Sequence, residues 1–65
     1  MNALKSMREK RGLSQSQLAE KSGVDVRMIQ HYEQGQKNIN HAMVITVLKL
    51  AEALHCDIKD ILNEE

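Results

Sequence analysis

Disulfide bonds and membrane spans are the first features that this 65-residue sequence excludes. Its single cysteine, Cys56, cannot form an internal disulfide, which favours a reducing compartment. No apolar run approaches the roughly 18 residues of a membrane span, and no signal peptide is recognisable. The sequence therefore predicts one small domain over residues 1–65, located in the cytoplasm and away from membranes.

Groups for catalysis and metal binding are also scarce. The candidate ligands and nucleophiles are Cys56 and three histidines, none of which share a metal-ligand spacing: His31, His41 and His55. There is no nucleophile paired with a base and no glycine-rich phosphate loop, and so short a chain leaves little room for an enzyme pocket. We therefore expect no catalytic residues, no metal and no cofactor.

The formal net charge is zero, which at first argues against a nucleic-acid partner. The charge is nevertheless unevenly distributed. Residues 1–37 contain seven basic and four acidic residues, a net +3, whereas the rest contain two basic and five acidic residues, a net −3. This polarity can orient the molecule on DNA, although charged residues usually form only a solvated surface.

Residues 14–34 predict two short helices joined by a tight turn. Ser14 can cap the first helix, Gly23 can end it, and Asp25 can cap the second. A glycine-containing turn between two short helices is typical of the helix-turn-helix motif, whose second helix enters the major groove of DNA. The motif predicts a protein that binds double-stranded DNA.

The second motif helix has two different faces when its residues are placed at 100° intervals. One face is a continuous arc that comprises Val26, Arg27, Gln30, His31 and Gln34, and Met28, Ile29 and Tyr32 lie opposite. Arginine suits guanine edges, glutamine suits adenine edges, and valine can contact a thymine methyl group. Most amphipathic helices have a solvated polar face, but here the caps, the turn and the arc agree, which favours base contacts by these five residues.

The motif resembles that of the XRE family, the Cro and CI type of phage-repressor helix-turn-helix. The matching residues are Leu13, Ser14, Gln15, Leu18, Ala19, Ser22, Gly23, Val24, Ile29, Tyr32, Glu33 and Gly35. The resemblance extends from about Leu4 to Leu62 and implies an all-α, five-helix, lambda-repressor-like fold. It also implies DNA-phosphate contacts by Gln15, Lys37 and Asn38. Met28 departs from the pattern, because the family often has a phosphate-contacting serine or threonine there.

The same resemblance implies a structural ion pair between Arg8 and Glu33, which would tie the first helix to the end of the recognition helix. That first helix is predicted to begin after Asn2 and to extend to about Arg11. Gly12 would then end it.

The second half of the sequence predicts two further helices, over residues 41–54 and 58–62. Asn40 is the expected cap of the first of these helices, and Met43, Val44 and Leu48 fall within its predicted inward face. Ile45 lies outside that face. It is expected to be either an isolated exposed residue or a residue that contacts another molecule. His55 is expected in a left-handed conformation just after this helix.

The last predicted helix contains more apolar residues than packing on one side requires. In the resembling family this end of the domain forms the two-fold dimer contact, so Ile58 and Ile61 are the predicted dimer interface. The core has room for one of these two side chains, which leaves the other facing out to pair with a second copy. We expect a weak homodimer that forms mainly on DNA, the alternative being a monomer with one isoleucine on its surface. Residues 63–65 are predicted to be frayed.

These inferences predict a sequence-specific, DNA-binding transcriptional regulator that acts as a homodimer on a palindromic operator. It would be a repressor or an activator, with repression favoured. The alternative is a protein-interaction module, such as an antitoxin or anti-regulator, with the same fold. Alanine substitutions of the polar residues in the arc of the second motif helix distinguish the two functions. They would abolish DNA binding but leave a complex with a partner protein intact.

Overall fold

The computed structural model describes residues 2–63, which contain helices and no strands. The α-helices are α1 (Ala3–Lys10), α2 (Gln15–Ser22), α3 (Val26–Gln34) and α4 (Val44–Ala53). Two single 3-10 turns, Ile39–His41 and Ile58–Asp60, precede and follow α4. None of the helices in this range is long and apolar enough to cross a membrane.

The helix-turn-helix motif forms with the predicted caps. Ser14 and Gln17 form a capping box, in which the Ser14 Oγ accepts from the Gln17 N–H at 3.0 Å and the Gln17 Oε1 accepts from the Ser14 N–H at 2.8 Å. The Asp25 carboxylate caps α3 by accepting from the Arg27 N–H at 2.7 Å. Gly23 has a φ of 76°, a left-handed conformation that lets α2 end and the chain turn into α3.

One hydrophobic core holds the four helices together. α2 packs against α3 and α4, whereas α1 packs against α3 and the second 3-10 turn. The largest fully buried side chains are Leu4, Leu18, Ile29, Ile39, Leu50, Leu54 and Ile61. Since α1, α2, α3, α4 and the first 3-10 turn each contribute at least one of them, no helix has an independent core, and we expect the domain to unfold as one unit.

The segment before α4 differs from the prediction, because Asn40 does not cap a helix that begins at residue 41. α4 begins at Val44, and its N-cap residue Met43 makes no side-chain cap hydrogen bond. The Asn38 Oδ1 instead accepts from the Asn40 N–H at 2.9 Å and caps the first 3-10 turn. Burial of Ile39 holds this turn against the core, which delays the start of α4 by three residues.

The C-terminal segment also differs, because the predicted helix over residues 58–62 is only a 3-10 turn. Residues 2–63 therefore form four α-helices rather than the five predicted. Asn63 is not frayed, since its N–H donates to the Asn40 Oδ1 at 2.8 Å and its carbonyl accepts from the Asn40 Nδ2 at 2.7 Å. The rest of the predicted frayed tail, Glu64 and Glu65, lies outside the described residues. His55 has a φ of 54°, which confirms the predicted left-handed position after α4.

The inward face of α4 is narrower than predicted. Val47, Leu50 and Ala51 are buried, on the side of the helix that packs against α2 and the second 3-10 turn. Four large apolar side chains remain exposed, and together they form what we call the α4 patch: Met43 (71%), Val44 (75%), Ile45 (51%) and Leu48 (39%). An apolar face without a partner in the protomer is typical of an interaction surface.

Candidate nucleic-acid interface

The five residues predicted to contact bases lie on the outward face of α3. Arg27 and Gln34 are exposed, and Val26, Gln30 and His31 are partly exposed. The opposite face is anchored in the core by Ile29 and Tyr32. Because the buried face fixes the rotation of the helix, Arg27 and Gln34 face solvent. The His31 Nδ1, by contrast, is buried and has no hydrogen-bond partner among the described residues.

A buried ion pair connects α3 to the two preceding helices. Glu33 Oε2 accepts from the Arg8 Nε at 2.7 Å, and Glu33 Oε1 accepts from the Arg8 Nη2 at 2.9 Å and from the Gln15 Nε2 at 3.1 Å. The side chains of Arg8 and Glu33 are only 11% and 3% exposed. The Arg8 Nη1 also donates to the Leu13 carbonyl at 2.7 Å, so all three nitrogens of the guanidinium donate hydrogen bonds.

The electrostatics of this pair favour its charged form. Burial alone raises the pKa of Glu33, but the hydrogen bonds from Arg8 and Gln15 and the charge of Arg8 outweigh burial and hold that pKa below its ordinary range. The hydrogen bonds that Arg8 donates to the Glu33 carboxylate in turn raise the pKa of Arg8. At neutral pH the pair is therefore an ionised link between α1, α2 and α3.

Gln15, a predicted phosphate contact, is the first residue of α2 and is partly exposed. One of its amide hydrogens bonds to Glu33, so the side chain has a structural role that the sequence did not indicate. Its amide group has a second hydrogen, and α2 directs its positive dipole end to the same place. Both features suit a DNA phosphate.

The loop after α3 places Lys37 and Asn38, the other predicted phosphate contacts, on the surface. The N–H groups of Gln36 and Lys37 donate to the His31 carbonyl at 2.9 and 3.2 Å, so the loop folds back over the last turn of α3. The Lys37 Nζ lies 3.9 Å from the Met28 Sδ, which brings a positive charge beside α3.

Two polar side chains have partners that the sequence did not reveal. The Asn2 Nδ2 donates to the Tyr32 carbonyl at 2.7 Å and to the Glu33 carbonyl at 3.3 Å, at the end of α3. The guanidinium of Arg11 makes the equivalent contact with the end of α4, where it donates to the carbonyls of Leu54 and His55. Partners 30 or more residues away leave no periodic or spacing signal in the sequence.

The predicted dimer interface needs a correction. Ile61 is fully buried in the core of the protomer, so its side chain cannot face a second copy. Ile61 directly follows the 3-10 turn Ile58–Asp60, whose geometry differs from that of the predicted α-helix. Ile58 is partly buried and lines a shallow groove with Leu48 of the α4 patch.

Comparison with known proteins decides the family. A helix-turn-helix family model matches residues 4–61, nearly the whole chain. The chain belongs to the XRE family of helix-turn-helix proteins. This XRE domain is also similar to the crystal structure of the restriction-modification controller protein C.AhdI from Aeromonas hydrophila, with a TM-score of 0.80 and 35% identity, over 92% of this chain and 86% of that one. No curated protein matches it. As a member of this family, the protein is a DNA-binding regulator with a helix-turn-helix motif.

Proposed function

We propose that this protein is a sequence-specific regulator of transcription that reads the major groove with α3. The observation that carries this proposal is the outward polar face of α3, which is held in place by the buried pair of Arg8 and Glu33. The proposed base contacts are Val26, Arg27, Gln30, His31 and Gln34, and the proposed phosphate contacts are Gln15, Lys37 and Asn38. A helix end fixed by a buried charge pair suits base reading, which depends on accurate geometry.

Selection of bound sequences from a random pool of DNA duplexes, at a stated salt concentration, tests this function. We expect an enriched motif with two inverted half-sites about one helical turn, ~34 Å, apart. Binding that shows no sequence preference would contradict the proposed reading of bases. A partner protein bound in place of DNA would favour the alternative, an interaction module such as an antitoxin.

Arg27→Ala should weaken binding to the selected site by about 1 to 3 kcal/mol, because an arginine that pairs with guanine at two positions loses both hydrogen bonds. The loss should be accompanied by relaxed preference at one base pair of each half-site. Lys37→Ala is the matched control, since loss of a phosphate contact weakens binding to all sequences alike and lowers the salt dependence. Equal loss on every duplex for Arg27→Ala would make it a phosphate contact instead. Quantitative binding to a panel of single-base variants measures both effects.

We further propose that two copies bind the operator as a homodimer, through the α4 patch and Ile58. A single recognition helix contacts few base pairs. A second copy on a second half-site therefore increases the preference for the operator over other DNA sequences. A protomer measures 27 × 21 × 21 Å, so two copies side by side are compatible with half-sites ~34 Å apart. Because the α4 patch contains only four side chains, the contact is small, and assembly is expected mainly on DNA.

Ile45→Glu and Val44→Glu, made singly, should convert cooperative operator binding into weak half-site binding. We expect the affinity for the full operator to fall about tenfold or more, because each change places a charge where the interface would remove it from water. Both side chains are more than half exposed, so the fold should be retained. Ile45→Val is the matched control, because it keeps an apolar side chain at the same place. Titration of full and half operators, with sedimentation of the free protein, measures the change. Unchanged cooperativity in both glutamate variants would exclude this interface.

Repression is the proposed regulatory outcome, since a dimer bound across a promoter excludes polymerase by occupancy alone. A reporter gene with the selected operator placed over the promoter, or upstream of it, tests the sign of regulation. Repression only from the overlapping position supports occupancy, whereas activation from the upstream position would contradict it.

A further inference from the structure

Asn2 joins the start of α1 to the end of the recognition helix. Its Oδ1 accepts from the Lys5 N–H at 2.9 Å and caps α1. Its Nδ2 donates to the Tyr32 carbonyl at 2.7 Å and to the Glu33 carbonyl at 3.3 Å. The Gly35 N–H also donates to the Tyr32 carbonyl, at 3.4 Å, and Asn2 adds a shorter hydrogen bond to the same carbonyl. One amide group therefore caps the start of α1 and the end of α3.

The start of α1 is itself held in place. The Ala3 N–H donates to the Asn63 Oδ1 at 3.1 Å, and Asn63 forms the two hydrogen bonds with Asn40 described above. α1 therefore contacts the last turn of α3 at two points, through Asn2 at its beginning and through Arg8 near its end. Two separated contacts restrain both the position of α3 and its rotation about its own axis, whereas one contact would leave a pivot.

We propose that Asn2 is a positioning residue for DNA recognition, which sets the orientation of the last turn of α3 and so the aim of Gln34 and Gln30. The inference rests on the proposed function and adds to it a residue that does not touch DNA. Base recognition by paired hydrogen bonds tolerates displacements of only about 0.5 Å. Loss of the Asn2 amide should therefore change which bases are preferred, and not only how much protein is folded.

Asn2→Asp tests this role, because aspartate still accepts from the Lys5 N–H but has no hydrogen to donate to α3. We expect the ratio of specific to non-specific affinity to fall about threefold to tenfold, the range that loss of one hydrogen bond gives. The relaxed preference should fall at the base pairs that Gln34→Ala also relaxes. Asn2→Ser, a good cap without a negative charge, replaces this variant if repulsion between the carboxylate and the carbonyls unfolds the domain.

Arg11→Met is the matched control. Arg11 donates to two carbonyls at the end of α4 at 2.8 and 3.3 Å, nearly the same distances that Asn2 has at the end of α3. Its loss should lower the thermal midpoint but leave the base preferences unchanged, because α4 does not carry the reading face. Circular dichroism measures folding, and selection from the random duplex pool measures preference for each variant.

The results separate the two proposals. If the wild-type chain selects no motif, the proposed function fails and the role of Asn2 falls with it. If the wild-type chain selects a motif and folded Asn2→Asp selects the same motif with the same stringency, only the role of Asn2 is overturned. A shift in preference as large in Arg11→Met as in Asn2→Asp would also overturn it, since the effect would then be one of stability.

Discussion

Glu33→Ala is expected to lower the free energy of unfolding by about 3 to 5 kcal/mol, which would leave much of so small a domain unfolded. The substitution leaves the guanidinium of Arg8 buried without its counter-charge, and it removes the acceptor of the Gln15 amide. Urea titration followed by circular dichroism measures the loss. Glu20→Ala, at an exposed position on α2, is the control and should change stability by less than about 0.5 kcal/mol.

A double-mutant cycle separates the pair from the penalty of breaking it. Arg8→Met together with Glu33→Leu should cost less than the sum of the two single changes, because neither charge is then left unpaired. Strict additivity would show that the two side chains do not interact in solution.

The pH dependence of stability provides an independent check on the same pair. Because the pKa of Glu33 is lower in the folded protein, its contribution is fully present above its pKa in the unfolded chain, about 4.3, and is lost as the pH falls through the folded value. The double variant should therefore lose less stability than the wild-type chain on acidification. Equal acid sensitivity of the two proteins would contradict the lowered pKa.

Ile61→Ala should lower the free energy of unfolding by about 2 to 4 kcal/mol, because it creates a cavity in the core. The position is fully buried in a domain where every element shares one core, so little of the cavity can collapse. Ile58→Ala, at a partly buried neighbour, should cost clearly less. Thermal unfolding at several protein concentrations measures both variants.

Concentration decides the interpretation of Ile61→Ala. A core residue destabilises the protomer equally at all concentrations, whereas an interface residue acts only where copies associate. Loss of stability that appears only at high protein concentration would place Ile61 at the dimer contact and restore the original prediction.

The helix-turn-helix motif was predictable because the signals that define it are local. The Ser14 and Asp25 caps and the left-handed glycine at position 23 each act within a few residues of chain, so their residue types alone indicate where α2 and α3 begin and end. The outward polar arc of α3 follows from the helical period once those bounds are known. The partners Arg8 and Glu33, 25 residues apart, came from the resemblance to a family and not from any local pattern.

Local sequence patterns did not predict α4 and the two 3-10 turns beside it correctly. A helical wheel assigns a broad apolar face to α4, but it does not show how much of that face the neighbouring helices cover. Met43, Val44 and Leu48 were therefore predicted to face inward, although they are exposed. Asparagine often caps helices, but the side chain of Asn40 is instead hydrogen-bonded to Asn63, 23 residues away. Ile58 and Ile61 look equivalent until the second 3-10 turn directs only Ile61 into the core.

The sequence by itself determined the motif, its bounds and the chemistry of its outward face, because caps, turns and helical periodicity are short-range interactions that the order of residues specifies directly. Only the tertiary structure decided which apolar side chains are left over for a partner and which polar side chains hold α3. Those outcomes depend on contacts between residues 18 to 60 positions apart, such as Gln15 with Glu33 and Ala3 with Asn63, and such contacts exist only after the whole chain has packed.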